Sequence, residues 1–487
     1  MLERQRVTGG PFEEPLAQRS VNGVLEVSLS MTVMTYVGPT STITTRVLGG
    51  SLPGPLLVLL PGEKLKITFS NDVYETPDFP AREKLRAALF GVGVTMLSCG
   101  TFGCLTLVSF QFREPWARNK VHLWCSSLTP MFFLLGGIAV TSIGVMTTAD
   151  SYLRDADVTN LHFHGAFVSS DAPSDDVLAA VPAGGTYQYE VDIPADHMPG
   201  TLWIHPHHHG SSALHTGGGA ACALILKDPP GTLPALIDNM TDVTWVVQHF
   251  GAELEDIANI MGDTVFSMSP SSSFWLVNGL SAPVISMYMG VWQRWRLVHA
   301  GWTHDSLSVS LPSCEMALLA KDGIYIRDFP RVVSSTHIPA GGRADVVVRC
   351  GTAGIHDIWE SSNILARANV VESETSDSTL VSWTPIYPSY LQDLRGEGVE
   401  PACDCSTEVR ADAINGYSFG VERRLHGGKL GSVMQREVFA DARPYHQHVF
   451  PFQLTVVDET GYVNVGDWHD TFPGHFTMRF SPSRFTG

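Results

Sequence analysis

The sequence predicts an all-β chain of more than one domain, and three observations lead there. Its 487 residues suffice for two to four domains that each bury a core. Its 45 glycines and 30 prolines fall between short apolar runs, the punctuation of a protein with many turns. Several of those runs alternate apolar and polar residues, which turns one face of a strand inward and the other outward.

Taken in order, Val24-Leu25-Glu26-Val27-Ser28-Leu29-Ser30 alternates as a half-buried strand does, and Leu65-Lys66-Ile67-Thr68-Phe69 alternates again. Gly49-Gly50 and Pro53-Gly54-Pro55 read as turns between them. After Asn71 the pattern breaks. Residues 87–112 and 121–149 contain no Asp, Glu, Lys or Arg, and each exceeds the ~20 residues with which a helix spans a bilayer. A short, net positive loop, Arg113 to Lys120, separates them. The block 84–150 therefore reads as a transmembrane hairpin with a cytoplasmic loop or as a segment foreign to the fold such as translated intron sequence, with a buried soluble hairpin as a third reading. The β-pattern resumes at Asn160. A second β-rich unit spans 232–372 and includes the runs Gly290 to Val298 and Arg343 to Val348. Residues 363–410 are richer in Ser, Glu, Asp and Pro and read as a connection, with 373–410 its clearest part. A third β-rich unit begins near 411. No long amphipathic helix is expected outside the insertion.

Bulk properties exclude more than they assign. A net charge of −18 argues against nucleic acid, which requires clustered Lys and Arg, and gives no support for docking on an anionic membrane surface. The cysteines at 99, 104, 125, 222, 314, 350, 403 and 405 form no CxxC pair and no compact disulfide framework, so they leave the redox compartment open. Met1 to Ser20 lacks the apolar centre of a secretory signal, so the expected location is a membrane or the extracellular space only if a preceding segment is missing or the insertion anchors the chain. The sequon Asn239-Met240-Thr241 is too common by chance to decide this.

The histidines are more telling. His162-Phe163-His164, His205-Pro206-His207 and His446-Gln447-His448 repeat a His-x-His pattern. Side chains two apart on a strand share a face, so each pair can offer two imidazoles to adjacent metals. Random placement of 19 histidines in 487 residues gives about 0.7 such pairs, so three separated ones are informative. Neutral imidazole suits copper and zinc, and the lack of nearby Cys or paired carboxylates argues against structural zinc.

The residues around these pairs carry a family resemblance. Asn160-Leu161-His162-Phe163-His164-Gly165, Gly200-Thr201-Leu202-Trp203-Ile204-His205-Pro206-His207-His208-His209-Gly210 and Pro444-Tyr445-His446-Gln447-His448 resemble three copper motifs of the multicopper oxidases. Pro53-Gly54-Pro55, Asn278-Gly279, Asp322-Gly323 and Pro339-Ala340-Gly341-Gly342-Arg343 are weaker framework matches, and the likeness covers about 21–83 and 151–487. It implies tandem cupredoxin domains (Greek-key β-barrels): a first at 21–228 interrupted by 84–150, a second at 232–372, and an incomplete third at 411–487. It also implies a copper cluster between the first and third. His162 and His446 would bind a type 2 copper; His164, His205, His207 and His448 would bind a type 3 pair. His208, His209 and His215 read as neighbours of the ligands, His469 and His475 as surface or packing residues, and Trp203 as core.

The chain also departs from the family. Arg443 stands where the family has a type 1 copper histidine, and a guanidinium has no lone pair to give. The sequence stops at Phe485-Thr486-Gly487, where the family's His-Cys-His segment would begin. The type 1 site is thus expected to be absent and the type 2 and type 3 sites partial. The resemblance implies an oxidoreductase that couples one-electron oxidation of a small reductant, phenol-like or a metal ion, to reduction of dioxygen to water. The departures imply an inactive chain. The alternatives are a non-catalytic copper-binding protein and a membrane-anchored cupredoxin scaffold held through 87–149.

Overall fold

A computed structural model describes residues 3–5, 9–73, 95, 135, 138, 156–303, 305–398, 406–410, 413–420, 424–425 and 427–482. The chain divides into two compact units, Met1–Val73 with Val158–Gly487, and Tyr74–Asp157. The insertion expected at 84–150 falls within the second. Its two apolar stretches lie outside the described residues except at Thr95, Leu135 and Ile138. Among the described residues no helix is long and apolar enough to cross a membrane, so nothing there supports the transmembrane hairpin.

Among the described residues the large unit is built of five sheets. The first joins Val24–Val37 to Thr42–Leu48 and Lys64–Asn71, with Thr186–Asp192 at one edge and Ser267–Ser269 at the other. Val24–Val37 and Lys64–Asn71 run parallel, pairing Leu25 with Leu65, Val27 with Ile67 and Leu29 with Phe69. All six side chains are buried, as the alternation predicts, and each contributes about 1.5–3 kcal/mol before conformational entropy is set against it.

The second sheet runs Ala17–Arg19, Leu56–Leu59, Cys222–Leu226, Gly200–His205, His162–His164. Leu56–Leu59 and Cys222–Leu226 are buried at every position. Leu57, Leu59, Cys222, Leu224 and Leu226 face the first sheet's core. Leu56, Val58, Ala223 and Ile225 pack with Val246, Val298 and Ala300. A strand covered on both faces needs an unbroken apolar run, which these have.

Residues 241–371 supply two further sheets. Thr241–Phe250, Gln293–His299, Arg343–Arg349 and Glu315–Lys321 lie side by side in one, and Val284–Tyr288, Asn363–Val371, Gly354–Glu360 and Val309–Ser310 form the other. The reading of 363–410 as a connection is therefore corrected at its start, because Asn363–Val371 pairs on both edges with neighbouring strands. Asp322 and Gly323 both have positive φ (48° and 77°), which a two-residue hairpin turn requires. Cys314 and Cys350 form a disulfide beside the paired Glu315 and Arg349, a link that spacing alone did not reveal.

The fifth sheet orders Ser406–Glu408, Met434–His446, Thr471–Phe480, Phe452–Val456 and Trp468–His469. Its first strand precedes the boundary expected at 411. Phe452, Leu454, Phe476 and Met478 share a continuous core with Leu318, Val346 and Leu391, so this sheet is seated on the preceding ones.

Candidate metal centre

The six motif histidines reach one place by three local routes. His162 and His164 occupy the edge strand His162–His164, whose register sets His162 opposite His205 and His164 opposite Trp203. His205 ends its strand, and His207 lies just beyond, where its backbone N–H donates to Asn160 Oδ1 at 2.7 Å. His446 ends the strand Met434–His446, and His448 follows in a bend. Alternation along a strand thus accounts for the first pair only; strand ends and bends deliver the other two.

The rings converge. His162 lies 4.0 Å from His448, His164 3.7 Å from His446 and His207 4.7 Å from His448, centroid to centroid. Two contacts are closer still: His162 Nε2 to His446 Nε2 at 3.4 Å, and His164 Nδ1 to His205 Nε2 at 3.3 Å.

The far nitrogen of each of those four rings decides what the close contacts are. His162 Nδ1 meets both oxygens of Asp175 at 3.0 Å, His446 Nδ1 meets the Asp470 carbonyl at 2.9 Å, and His205 Nδ1 meets the Pro206 carbonyl at 3.0 Å. His164 Nε2 meets Thr471 Oγ1 at 3.1 Å and Asp470 Oδ1 at 3.3 Å. Carboxylates and carbonyls accept only, so each neutral ring carries its proton on that far nitrogen. The near nitrogens are then bare lone pairs, facing each other in twos with no proton to share. Imidazole nitrogens about 2.0–2.1 Å from one metal at a tetrahedral angle lie about 3.3–3.4 Å apart. The donor set fits copper in chemistry and in spacing.

Electrostatics agree. Burial holds all six imidazoles below their ordinary range, and for all but His446 the next influence is a neighbouring imidazole. Neutral imidazole is the form that binds metal. Burial also pushes the Asp175 carboxyl up, to about 6, against the backbone N–H of Phe163 that it accepts. Burial would raise Asp470 as well, but the Arg343 guanidinium, bonded to both its oxygens at 2.7 and 2.6 Å, holds it below the usual carboxylate range. Asp470 lies close enough to His164 and His446 to join them around a metal. With both oxygens engaged by Arg343, it acts instead to orient those rings.

The remaining candidates are placed as follows. Trp203 is buried, stacks on His205 at 4.2 Å and donates from Nε1 to the Gly341 carbonyl. His215 is buried in the helix Ser212–Gly217, His209 stacks on Phe419, and neither His208 nor these two joins the cluster. His475 is exposed against Glu437, whereas His469 is fully buried against Asp322. Arg443 donates to the Trp302 carbonyl at 3.3 Å. Sequence reasoning missed Asp175, Asp470 and Thr471, which orient the imidazoles. No local pattern announces them, since Asp175 acts 13 residues from His162 and Asp470 acts 306 from His164.

No family model matches the chain. Its fold is that of solved multicopper oxidases. It is similar to a laccase from Pediococcus acidilactici Pa5930, with 14% identity, TM-score 0.65, and coverage of 99% of this chain and 90% of that one. It is similar to a multicopper oxidase from Campylobacter jejuni described as a metallo-oxidase, with 14% identity, TM-score 0.62, and coverage of 98% and 91%. It is also similar to a laccase-like multi-copper oxidase from Ochrobactrum sp., active towards lignin model compounds, with 17% identity, TM-score 0.62, and coverage of 97% and 94%.

Proposed function

We propose that this chain is a copper-binding oxidoreductase of the multicopper oxidase kind, which couples one-electron oxidation of a small reductant to reduction of dioxygen to water. The observation that carries the reading is the pair of facing lone pairs, His162 with His446 and His164 with His205, each ring fixed in tautomer by a separate acceptor. His162 and His446 would hold the type 2 copper, and His164, His205, His207 and His448 the type 3 pair. When bound, copper supplies the one-electron redox chemistry that the side chains lack. The chain's own part is to keep the imidazoles neutral, to orient them through Asp175, Asp470 and Thr471, and to shield them from bulk water. The small reductant, a phenol or a metal ion, is assigned by family likeness alone. In the same reading 21–228, 232–372 and 411–487 are three cupredoxin domains.

Arg443 favours a second reading, a non-catalytic copper-binding protein, because it puts a cation without a lone pair where the family binds its type 1 copper. Copper content of the purified chain and its His446→Ala variant, measured beside dioxygen uptake with a phenolic reductant, separates the two. Bound copper lost in the variant, with uptake in the wild type, supports the oxidase. Bound copper without uptake supports the second reading, and a wild-type chain that retains no copper removes both.

A further inference from the structure

Ser313 and His356 belong to different sheets and meet at the surface. Ser313 precedes the strand Glu315–Lys321, and His356 lies in the strand Gly354–Glu360. Ser313 Oγ is 2.8 Å from His356 Nδ1, and His356 Nε2 is 2.9 Å from the Thr352 carbonyl oxygen. A carbonyl accepts only, so the proton of the neutral ring sits on Nε2 and Nδ1 offers a lone pair. The Ser313 hydroxyl then donates to that lone pair. The disulfide holds the arrangement from both sides, because Cys314 follows Ser313 and Cys350 stands two residues before Thr352. His337 also lies between serines but is placed differently. Ser308 Oγ and Ser335 Oγ are 3.4 and 3.3 Å from its two nitrogens, and Ser308 already gives its proton to the Thr336 carbonyl at 3.0 Å. A hydroxyl donates or accepts, so neither serine fixes the tautomer of that ring.

A hydroxyl bound through its proton to a base, with the base oriented by a third group, is the arrangement that makes a serine nucleophilic. Ser313 is exposed, so a small molecule can reach it. We propose that Ser313 is a nucleophile that accepts an acyl group from an activated ester whose leaving group is a phenolate. Ser313 Oγ bonds to the acyl carbon, its proton passes to His356 Nδ1, and the bond from that carbon to the phenolate oxygen breaks. The Thr352 carbonyl steadies the charged ring through Nε2–H. A phenolate leaves without receiving a proton, so a positioned base suffices for this step. In release, His356 takes a proton from the water that attacks the acyl carbon and returns it to Oγ as the ester bond breaks. A serine alkoxide is a poorer leaving group than a phenolate, so the acyl-serine accumulates.

4-Nitrophenyl acetate tests this on the purified chain, with 4-nitrophenolate followed by absorbance and the acetyl group located by peptide mass spectrometry. The wild type should release a burst of about one 4-nitrophenolate per chain and carry the acetyl group on Ser313. Ser313→Ala should lose the burst. His356→Gln can still donate to Thr352 and accept from Ser313 but has no basic nitrogen, and should slow the burst about 100-fold. A wild type without a burst, or with acetyl groups confined to other residues, overturns the proposal without recourse to any variant. So does a burst that persists in Ser313→Ala or keeps its rate in His356→Gln.

Discussion

At the scale of single residues, the histidine cluster depends on groups outside it. Asp175 fixes the His162 tautomer and at the same time accepts the Phe163 N–H at 3.0 Å. Asp175→Asn can still accept from Phe163, but its amide N–H2 then faces the Nδ1–H of His162 and favours the wrong tautomer. Copper affinity should fall about 10–100-fold by competition with a chelator, with little change in the far-ultraviolet spectrum. Val449 shows a different cost. It follows His448 with φ 68°, the only β-branched residue at positive φ among the described residues, whereas Gly165 takes the equivalent place after His164 at φ 90°. The left-handed conformation is easy for glycine and strained for any residue with a Cβ. Val449→Gly should therefore exceed Val449→Ala in stability by about 1 kcal/mol in urea unfolding, the reverse of the usual order. An alanine variant at least as stable as the glycine variant would remove the strain argument.

At the scale of elements, the strand Gly200–His205 delivers its histidine only because a hairpin turn from another sheet can lie against its start. A Cβ placed on Gly200 would come within 2.1 Å of the Gly323 carbonyl oxygen, and the turn at Asp322-Gly323 has no slack, since Asp322 also accepts the Arg343 N–H. Gly200→Ala should destabilise the chain by about 2–3 kcal/mol and lower copper content together with it, because the displaced strand carries His205. Stability equal to wild type would mean that this approach is not tight. The same turn bears the carboxylate that accepts from His469 Nδ1.

At the scale of the whole molecule, buried neutral histidines should make stability depend on pH. His197 donates from Nδ1 to the Met198 carbonyl and accepts the Phe167 N–H at Nε2, and His299 donates to the Ile338 carbonyl. Burial lowers both to about 4, against an ordinary value of 6.5. In the unfolded chain both rings take up protons below pH 6.5, while in the folded chain they stay neutral down to about pH 4. Their contribution is intact above pH 6.5 and is lost as pH falls towards 4, by about 2 kcal/mol each between pH 7 and pH 5. Asp175, raised to about 6, works in the opposite direction over part of that window. Unfolding of the metal-free chain at pH 7 and pH 5 measures the sum, to which the six lowered imidazoles of the cluster add in the same direction as His197 and His299. His197→Gln should remove one histidine's share of the slope, and an unchanged slope would exclude His197 as a source.

The sequence by itself determined the class of fold and the six imidazoles. Alternation in Val24 to Ser30 and Leu65 to Phe69 is a direct imprint of burying one face of a strand, and the three His-x-His motifs are local words with a chemical meaning. What local pattern cannot carry is contact between residues far apart in the chain. The edge contact of His162 with His446 and the Arg343–Asp470 pair each arise only when separate sheets meet over a shared core, and the Cys314–Cys350 link only when Glu315–Lys321 and Arg343–Arg349 pair within one sheet. The tautomer of His164 likewise depends on acceptors from another sheet, Asp470 and Thr471, whereas His205 takes the carbonyl of the next residue, Pro206. The sequence picks out the six histidines, and the tertiary structure decides which of their lone pairs face each other, since only packing sets the distance between elements that the chain itself holds apart.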